Sequence, residues 1–509
     1  MVVKVNGREL FMKGANWIPC DAFESRQTAE RYRSLLSSAA AANMNMIRLW
    51  GGGQFEHDAF YDACDELGIL VWHDHMFSCA VYPVDGRFLS EVRNELRHQL
   101  RRLRDHASIA LWCGDNECVG ALNWFKETRE DPAYYKAALM KRHAVQEEMV
   151  AQFDPGRMFW PSSPCAGPGN FADNWKNDSQ GDMHNWEVWH ENRPFDAYYE
   201  YSPRFCSEFG YQSFPSLEVA ETFATREQVL SRAPEFEWHQ KNPGGNRRIR
   251  ETMLRYFRPA KDVEAELLLS QFQQAMAIKM AVDGWRAQRP HCMGTLYWQL
   301  NDNWPVASWS SVEYGGKWKP LHYLAKRFYA PVSVVAQPDL ADGKADVARG
   351  RVFAVNDTAE TVEGELAVEY WTYDGRIARA EKTSVALPPD SSTAVGAFAK
   401  PAAGEPTFLV LTLKTAKGES RNDWHFGFYR DMPLAQAKVT AEPTEKGLRV
   451  ATDKPAFFVW ANVRRARGEF DDNAFTLLPG RPRSLAFSGA MDARRLTVTS
   501  LGQLGGDGE

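Results

Sequence analysis

Two glutamates occupy places in the sequence where a carboxylate could act on a substrate. Glu117 lies in LWCGDNECVG, directly after the apolar run 109–112, and Glu208 lies in RFCSEFGYQSFPS, close behind the run 204–206. Loops that follow buried strands carry a large share of binding and catalytic groups. Two carboxyl groups that face one anomeric carbon can hydrolyse a glycosidic bond, one as the acid and the other as nucleophile or base.

Either glutamate taken alone could instead be a salt-bridged residue at the rim of a sheet. The neighbouring residues favour the chemical interpretation. Asn116 precedes Glu117, Phe209-Gly210 follows Glu208, and the segment 298–304 reads WQLNDNW. We therefore predict that Glu117 and Glu208 work as a pair.

The elements that would position this pair alternate between short apolar runs and helical patterns, from residue 10 to about residue 330. Ser25 is predicted to cap the first helix, and a later helix presents an apolar face over residues 89–103. Apolar runs predict strands near residues 11–14, 46–50, 69–72, 109–112, 158–160, 182–184, 204–206 and 295–298.

Eight strands separated by helices predict a (β/α)8 TIM barrel, which places its chemistry at the carboxyl ends of the strands. Glu117 follows the fourth predicted strand and Glu208 follows the seventh. Strands four and seven of a closed barrel lie across its mouth from each other. The two glutamates could therefore meet over one sugar.

The pattern of apolar and polar residues changes after residue 330. Segments such as RGRVFAVND and PTFLVLTLKTAKGES alternate apolar and polar residues between Gly, Asp and Pro turns, which is typical of a β-sandwich. A second unit of this kind begins near residue 437. The sequence thus predicts a catalytic barrel over 1–330, an immunoglobulin-like β-sandwich over 331–436 and a small C-terminal β-sandwich over 437–509.

Composition excludes several classes of protein. A formal net charge of −6 and the lack of a basic run argue against a nucleic-acid partner. No apolar stretch approaches the roughly 20 residues that a membrane helix needs, and MVVKVNGREL lacks a signal-peptide pattern, so a soluble chain is expected. Its compartment, whether cytoplasmic, periplasmic or secreted, stays open.

Cysteine usage indicates reduced core thiols. All 8 cysteines precede residue 293, and none forms a CxxC pair. No cluster of His, Cys and Asp in the sequence suggests a tight metal site. We expect neither a metal nor another cofactor.

Several segments resemble the β-mannosidases of glycoside hydrolase family 2. The resemblance runs in order through the whole predicted barrel, whereas the sandwich domains fit the family only in type. The segments are NWIPCDAF (16–23), NMIRLWGGG (45–53), FYDACDELGILVWHDHMF (60–77), WCGDNE (112–117), GDMHNWEVWH (181–190), SEFGYQSFPS (207–216) and YWQLNDNWP (297–305).

This resemblance implies a retaining double displacement. Glu117 matches the acid/base position of the family and Glu208 the nucleophile. Asn116 would hydrogen-bond the sugar at its 2-position, and Trp298 would stack on the ring. Further residues expected to line the substrate site are His184, Trp186, Trp304 and Arg48.

Arg48 has a second interpretation. It follows two apolar residues on the second predicted strand, so it is expected to pair with a barrel carboxylate and in that way to orient Glu208.

The chain also departs from the family pattern. Family members carry a jelly-roll and an immunoglobulin-like domain before the barrel, whereas this sequence begins almost at the opening hairpin of the barrel. We expect that these N-terminal domains are missing, either because the chain is part of a longer enzyme or because it is a shortened member. Because the first domain contributes a loop to the sugar site in this family, full affinity would need it.

The leading hypothesis is an exo-acting retaining β-mannosidase that removes terminal β-D-mannose from oligosaccharides or a glycan core. Two alternatives stay open. One is another family 2 exo-glycosidase: a β-galactosidase, a β-glucuronidase or an exo-β-glucosaminidase. The other is a catalytically incomplete fragment that only binds carbohydrate.

Overall fold

The computed structural model describes residues 1–172, 174–434 and 436–506. They form two compact units. The first consists of Met1–His190, Tyr201–Gly210 and Arg289–Asn303, and the second of Glu191–Glu200, Tyr211–Gln288 and the chain from Trp304 onward.

The first unit opens with a hairpin and then builds a sheet of eight parallel strands. The hairpin pairs β1 (Val3–Val5) with β2 (Arg8–Leu10). The parallel strands are β3 (Met12–Trp17), β4 (Met46–Leu49), β5 (Leu70–Asp74), β6 (Ile109–Cys113), β7 (Met158–Trp160), β8 (Met183–Asn185), β9 (Cys206–Phe209) and β10 (Gly294–Tyr297).

Helices of the first unit connect these strands. They are α1 (Ala29–Ala41), α2 (Asp58–Leu67), α3 (Gly86–Leu103), α4 (Cys118–Trp124), α5 (Lys126–Glu130), α6 (Pro132–Phe153) and α7 (Glu187–His190). The Asp85 side chain caps α3 by accepting hydrogen bonds from the backbone N–H groups of Arg87 and Phe88, each at 3.0 Å. The predicted apolar face of this helix is buried.

The strands follow the order β7-β6-β5-β4-β3-β10-β9-β8, as in a barrel opened at one seam. One buried side chain from most strands fills the interior. Members of this core are Met12, Met46, Trp72, Leu111, Cys113, Trp160, Cys165, Phe205 and Leu296. Burying such large apolar groups supplies the main driving force for closing the sheet.

The seam lies between β7 and β8, which share no ladder of hydrogen bonds among the described residues. An isolated antiparallel bridge between Cys165 and Asp182 spans it. The Asp182 carboxylate adds two side-chain links, because its Oδ1 accepts from Trp160 Nε1 at 2.8 Å and from the Cys165 N–H at 2.9 Å. One aspartate thus replaces part of a missing strand pairing.

Among its described residues, the second unit has six α-helices and two β-sandwiches. Its helices are α8 (Leu217–Ala220), α9 (Arg226–Leu230), α10 (Pro234–Trp238), α11 (Gly245–Tyr256), α12 (Val263–Ala287) and α13 (Pro320–Phe328). The strands of its first sandwich are β11 (Val332–Ala341), β12 (Lys344–Asn356), β13 (Val362–Thr372), β14 (Ile377–Leu387), β15 (Ser391–Ala399), β16 (Thr407–Thr415) and β17 (Gly418–His425). They form the sheets β11-β12-β15 and β14-β13-β16-β17.

A smaller sandwich completes the second unit. Its strands are β18 (Val439–Thr444), β19 (Gly447–Thr452), β20 (Ala456–Val463), β21 (Phe475–Leu477), β22 (Arg483–Ala486) and β23 (Leu496–Thr499), in the sheets β18-β19-β22 and β21-β20-β23. The predicted fold class, a TIM barrel followed by immunoglobulin-like sandwiches, is confirmed.

One local prediction was wrong. Ser25 does not cap α1, because residues 24–26 form a separate 3-10 turn. Thr28 caps the helix instead, and its hydroxyl oxygen accepts the Arg31 N–H at 3.3 Å. Both residues are good caps by type, so only the chain path decides between them.

All eight cysteines are unpaired thiols, seven of them buried.

Within the described ranges, no helix combines the length and the apolar composition that crossing a bilayer requires.

Strands β3 and β4 approach so closely at Gly14 that the backbone leaves no room for a side chain there. A Cβ at position 14 would lie 1.7 Å from the Met46 carbonyl oxygen. We expect Gly14→Ala to destabilise the fold by about 3 kcal/mol or more, because the backbone of a central strand must shift. The control, Gly86→Ala at the start of α3, meets no atom within 4 Å and should be neutral or stabilising by up to about 1 kcal/mol. Urea unfolding of both variants measures this, and equal losses would contradict the expectation.

Candidate active site

Arg48, on β4, is fully buried and binds four acceptors from four other segments of the barrel. Its Nε and Nη2 donate to Asp74 at 3.4 and 2.7 Å, and Nη2 also donates to Asn116 Oδ1 at 2.7 Å. Its Nη1 donates to Asn16 Oδ1 at 2.9 Å and to Glu208 Oε1. All five N–H groups of the guanidinium are therefore engaged, which leaves none for a sugar. We assign Arg48 to positioning the carboxylates.

Glu208 lies on β9 with its side chain 5% exposed. Besides the bond from Arg48, its Oε2 accepts from Trp186 Nε1 at 3.3 Å and lies 3.6 Å from His184 Nδ1. Both Trp186 and His184 come from the β8 region next to it. Donors from two directions thus fix the orientation of this carboxylate.

Glu117 follows β6 and stands at the N-terminus of α4 in the left-handed backbone region, with φ 57°. Left-handed geometry is uncommon for residues other than glycine and concentrates at functional sites. The Glu117 side chain does not cap the helix. It points instead toward His184, whose Nδ1 lies 2.7 Å from Oε1, and toward Cys79, whose Sγ lies 3.4 Å from Oε2. With 18% exposure, it is open to solvent where Glu208 is not.

His184 stands between the two glutamates. Among the residues that the structure describes, Glu117, His184 and Glu208 bring one ligand-type atom each within 4.8 Å of one another. Burial lowers the pKa of His184 to about 4, although the negative charge of Glu208 opposes that change. The imidazole is therefore neutral near pH 7. Because each member of the trio already bonds other groups of the site, we interpret it as an acid–base cluster.

The two carboxyl groups have different electrostatic surroundings. Burial raises the pKa of Glu117, and the Cys79 thiol and Arg48 oppose that rise only in part. Burial also raises the pKa of Glu208, where His184 and Arg48 oppose it and the charge of Glu117 adds to it. Ionising both carboxyls together is therefore less favourable than ionising either one alone in water.

Asn116 is almost completely buried beside Glu117. Its Oδ1 accepts from Arg48, and its Nδ2 lies 3.2 Å from Ser78 Oγ and 3.3 Å from Cys79 Sγ. The structure thus holds the Asn116 amide in a fixed orientation. Contact with a sugar 2-hydroxyl stays a prediction.

Aromatic side chains stand at the same end of the strands. Trp298, directly after β10, is half-buried and packs edge-on against Trp50 with ring centroids 4.9 Å apart. Trp186 is buried against Glu208. Trp304 belongs to the second unit, where it stacks on His239 at 4.7 Å, so its role in sugar binding stays a prediction.

Several contributing residues were not assigned to the site from the sequence. Asn16, the last residue but one of β3, accepts a hydrogen bond from Arg48. Cys79 contacts Glu117, and Trp50 packs on Trp298. Asn16 and Trp50 lie at strand ends inside the segments that resemble the family, which was the available signal. Cys79 lies beyond the end of such a segment and carried none.

Comparison with known proteins supports a common origin for this arrangement. A β-mannosidase of Rattus norvegicus is 33% identical over 516 residues, covering 93% of this chain and 57% of the relative. β-Mannosidase B of Neosartorya fischeri is 30% identical, covering 96% of this chain and 61% of the relative.

The crystal structure of a β-D-mannosidase from Dictyoglomus thermophilum superimposes with a TM-score of 0.88 at 34% identity, covering 98% of this chain and 61% of that one. This chain is a homologue of the β-mannosidases. The resemblance to glycoside hydrolase family 2 is thereby confirmed. The homologue spans about three fifths of the length of these relatives.

Family models match both sandwiches of the β-mannosidase homologue. A mannosidase Ig/CBM-like domain matches residues 349–428, and an Ig-fold domain matches residues 430–504.

Asp115, in the turn between β6 and Glu117, anchors this segment to α6. Its Oδ2 accepts from Arg142 and lies 2.7 Å from His143 Nε2, while Oδ1 accepts from the Ser162 hydroxyl and the Cys118 N–H. Burial alone would raise the pKa of Asp115, but His143 and Arg142 outweigh it and hold the pKa at about 2.

We expect Asp115→Asn to lower the free energy of unfolding by about 3 kcal/mol or more, because it leaves the buried Arg142 without its counter-charge. Because the pKa falls from 3.8 to about 2 on folding, the ion pair contributes fully above pH 3.8. The difference between variant and parent should therefore shrink as the pH falls toward 2.

Urea unfolding at a series of pH values measures this difference. Asp131→Asn at the exposed cap of α6 is the control and should change stability by less than about 0.5 kcal/mol, since Asn caps as well as Asp. A loss at Asp115 that does not depend on pH would contradict the assignment.

Proposed function

We propose that this chain carries the catalytic centre of a retaining exo-β-mannosidase, with Glu117 as acid/base and Glu208 as nucleophile. The observation that carries the proposal is the convergence of both carboxylates on His184, with atoms of all three within 4.8 Å. Retaining glycosidases hold their carboxyl groups about 5–5.5 Å apart, whereas inverting ones leave about 6.5–9.5 Å for a water molecule. The close approach supports the retaining class.

The reaction proceeds in two steps. Glu208 attacks the anomeric carbon, the bond to the leaving oxygen breaks, and that oxygen takes the proton of Glu117. Water then attacks the same carbon, Glu117 removes a proton from the water, and the bond to Glu208 breaks. Two inversions leave the β configuration unchanged.

The neighbours of each carboxyl support this division of roles. Glu208 accepts a hydrogen bond from the Arg48 guanidinium, which stabilises the ionised form that a nucleophile needs. Glu117 meets a thiol and a neutral imidazole and keeps a raised pKa, as suits an acid near neutral pH. Its partial exposure leaves room for a leaving group.

Terminal β-D-mannose is the proposed substrate because the relatives are named β-mannosidases. Trp298 would stack on the sugar, Asn116 would bind its 2-hydroxyl, and His184, Trp186 and Trp304 would line the site. We further propose the division into a barrel over 1–330 and sandwiches over 331–436 and 437–509, supported by strands β11 and β18 beginning at Val332 and Val439.

The first test is hydrolysis of p-nitrophenyl β-D-mannopyranoside by the 509-residue chain. We expect turnover by the parent, no measurable turnover by Glu208→Ala, and recovery with azide as α-mannosyl azide. Azide would occupy the space of the lost carboxylate and displace the leaving group with a single inversion. Product NMR identifies the anomer.

Glu117→Ala is the matched control, because azide should there give β-mannosyl azide by attacking the mannosyl–Glu208 intermediate. If Glu208→Ala gave the β-azide and Glu117→Ala gave the α-azide, the roles of the two glutamates would be reversed. A preference for another glycoside in a panel would favour β-galactosidase, β-glucuronidase or exo-β-glucosaminidase activity. A folded chain that binds mannose by calorimetry without any turnover would favour the binding alternative.

Arg48→Lys should lower kcat/KM on the order of 10²-fold. In a plot of kcat/KM against pH, the acidic limb, where activity falls as the pH is lowered, should move to higher pH. Lysine keeps the charge but has three donors for five acceptor oxygens on four residues. We expect Glu208 to lose its hydrogen bond, which raises its pKa. A nucleophile with a higher pKa becomes protonated sooner as the pH falls.

Arg142→Lys serves as the control, since Arg142 is equally buried but pairs with Asp115 rather than with Glu208. It should lower stability and leave the acidic limb in place. If both variants move the limb alike, Arg48 does not act on the nucleophile.

A further inference from the structure

We infer that Asp182 and Ser163 hold His184 in the tautomer with its proton on Nε2, and that this tautomer keeps the acid proton on Glu117. The inference rests on the proposed function, because Glu117 is the acid only in that scheme. Neither Asp182 nor Ser163 lies against the reacting atoms. Both are positioning residues that act through His184.

The first step concerns two hydroxyls at one carboxylate oxygen. Asp182 Oδ2 lies 2.7 Å from Ser163 Oγ and 2.5 Å from Ser207 Oγ. Oxygen atoms this close share a proton, each serine hydroxyl has one to give, and the other oxygen of Asp182 already accepts the N–H groups of Trp160 and Cys165. Both serines must therefore donate to Asp182.

The second step concerns the other side of the Ser163 hydroxyl. Its oxygen lies 3.0 Å from His184 Nε2. Because its only proton is directed to Asp182, Ser163 can only accept in this contact. His184 Nε2 must carry a hydrogen and donate it.

The third step moves to the opposite edge of the ring. A neutral imidazole with a proton on Nε2 has a lone pair on Nδ1. That lone pair faces Glu117 Oε1 at 2.7 Å. A hydrogen bond of this length needs a proton, so Glu117 must supply it as a carboxylic acid.

Charged groups around the ring agree with this assignment. Glu208, the second carboxyl group near Nδ1, lies 3.6 Å from it and already has a cationic partner in Arg48. Cys79 gives Glu117 only a weak thiol donor. A doubly protonated His184 is disfavoured because the ring is fully buried and its pKa is lowered to about 4.

The Nε2 tautomer of His184 affects Glu117 in both steps of the proposed reaction. Before the first step it keeps Glu117 protonated. After Glu117 has given its proton to the leaving oxygen, the ionised carboxylate faces a lone pair, which strengthens it as the base that deprotonates water. The proton balance is unchanged, because the water returns the proton that the leaving group took.

Ser163→Ala tests the inference by removing the acceptor that fixes the proton on Nε2. His184 can then place the proton on Nδ1 and donate to ionised Glu117. The basic limb of kcat/KM should move to lower pH by about one unit, the effect of one hydrogen bond to a charged group. A purely structural defect would lower kcat without moving the limb.

Ser207→Ala is the matched control, because Ser207 donates to the same Asp182 oxygen without bonding His184. Its basic limb should stay in place. If both variants move the limb equally, or Ser163→Ala does not move it, the inference is overturned.

A direct reading comes from ¹⁵N NMR of histidine-labelled parent protein, with the His184 signals identified by their loss in His184→Gln. We expect a protonated Nε2 and an unprotonated Nδ1, and the reverse would overturn the inference. Since this reading needs no turnover, a chain without mannosidase activity but with this tautomer would refute the proposed function and leave the proton arrangement standing.

Discussion

The buried guanidinium of Arg48 is the interaction on which the first unit depends. Its acceptors come from β3, the end of β5, the turn after β6, and β9, so their strands must agree in register to meet it. β4 supplies the centre, with Arg48 directly opposite Asn16 on one side and Trp72 on the other. A charge with no exposure is tolerated only when every donor is bonded. The register of the strands and the positions of the two carboxylates therefore depend on the same side chain.

From this centre the two glutamates acquire different properties. Glu208 stands close to the cation and within the sheet, whereas Glu117 is set one turn beyond its strand in a left-handed backbone conformation. The two carboxyls therefore differ in their donors, because Glu208 accepts from the Arg48 guanidinium whereas Glu117 contacts a thiol and an imidazole. Asp115 supports the second position by tying the turn to α6.

The sequence predicts the periodic and local features well. The strand runs and their polar ends place Glu117 directly after its strand, whereas Glu208 lies inside β9 because that strand begins and ends later than predicted. Arg48 pairs with a barrel carboxylate as expected. Partnerships between distant residues could not be predicted, because Cys79 and Glu117, or Ser163 and His184, meet only through the barrel closure. The cap of α1 was misassigned since Ser25 and Thr28 are equivalent by type.

The seam between β7 and β8 is held by one isolated bridge and by side chains rather than by a strand ladder among the described residues. Asp182 joins the two strand edges there, and its second carboxylate oxygen accepts from the Ser163 hydroxyl, so one side chain contacts both the seam and the neighbours of His184. The described residues of the connection between these edges, 166–172 and 174–181, belong to no strand or helix. Because loops tolerate changes in sequence and length better than strands do, this connection can vary while the strand ladders and the Arg48 network stay in place, provided that Cys165 and Asp182 still bridge the seam.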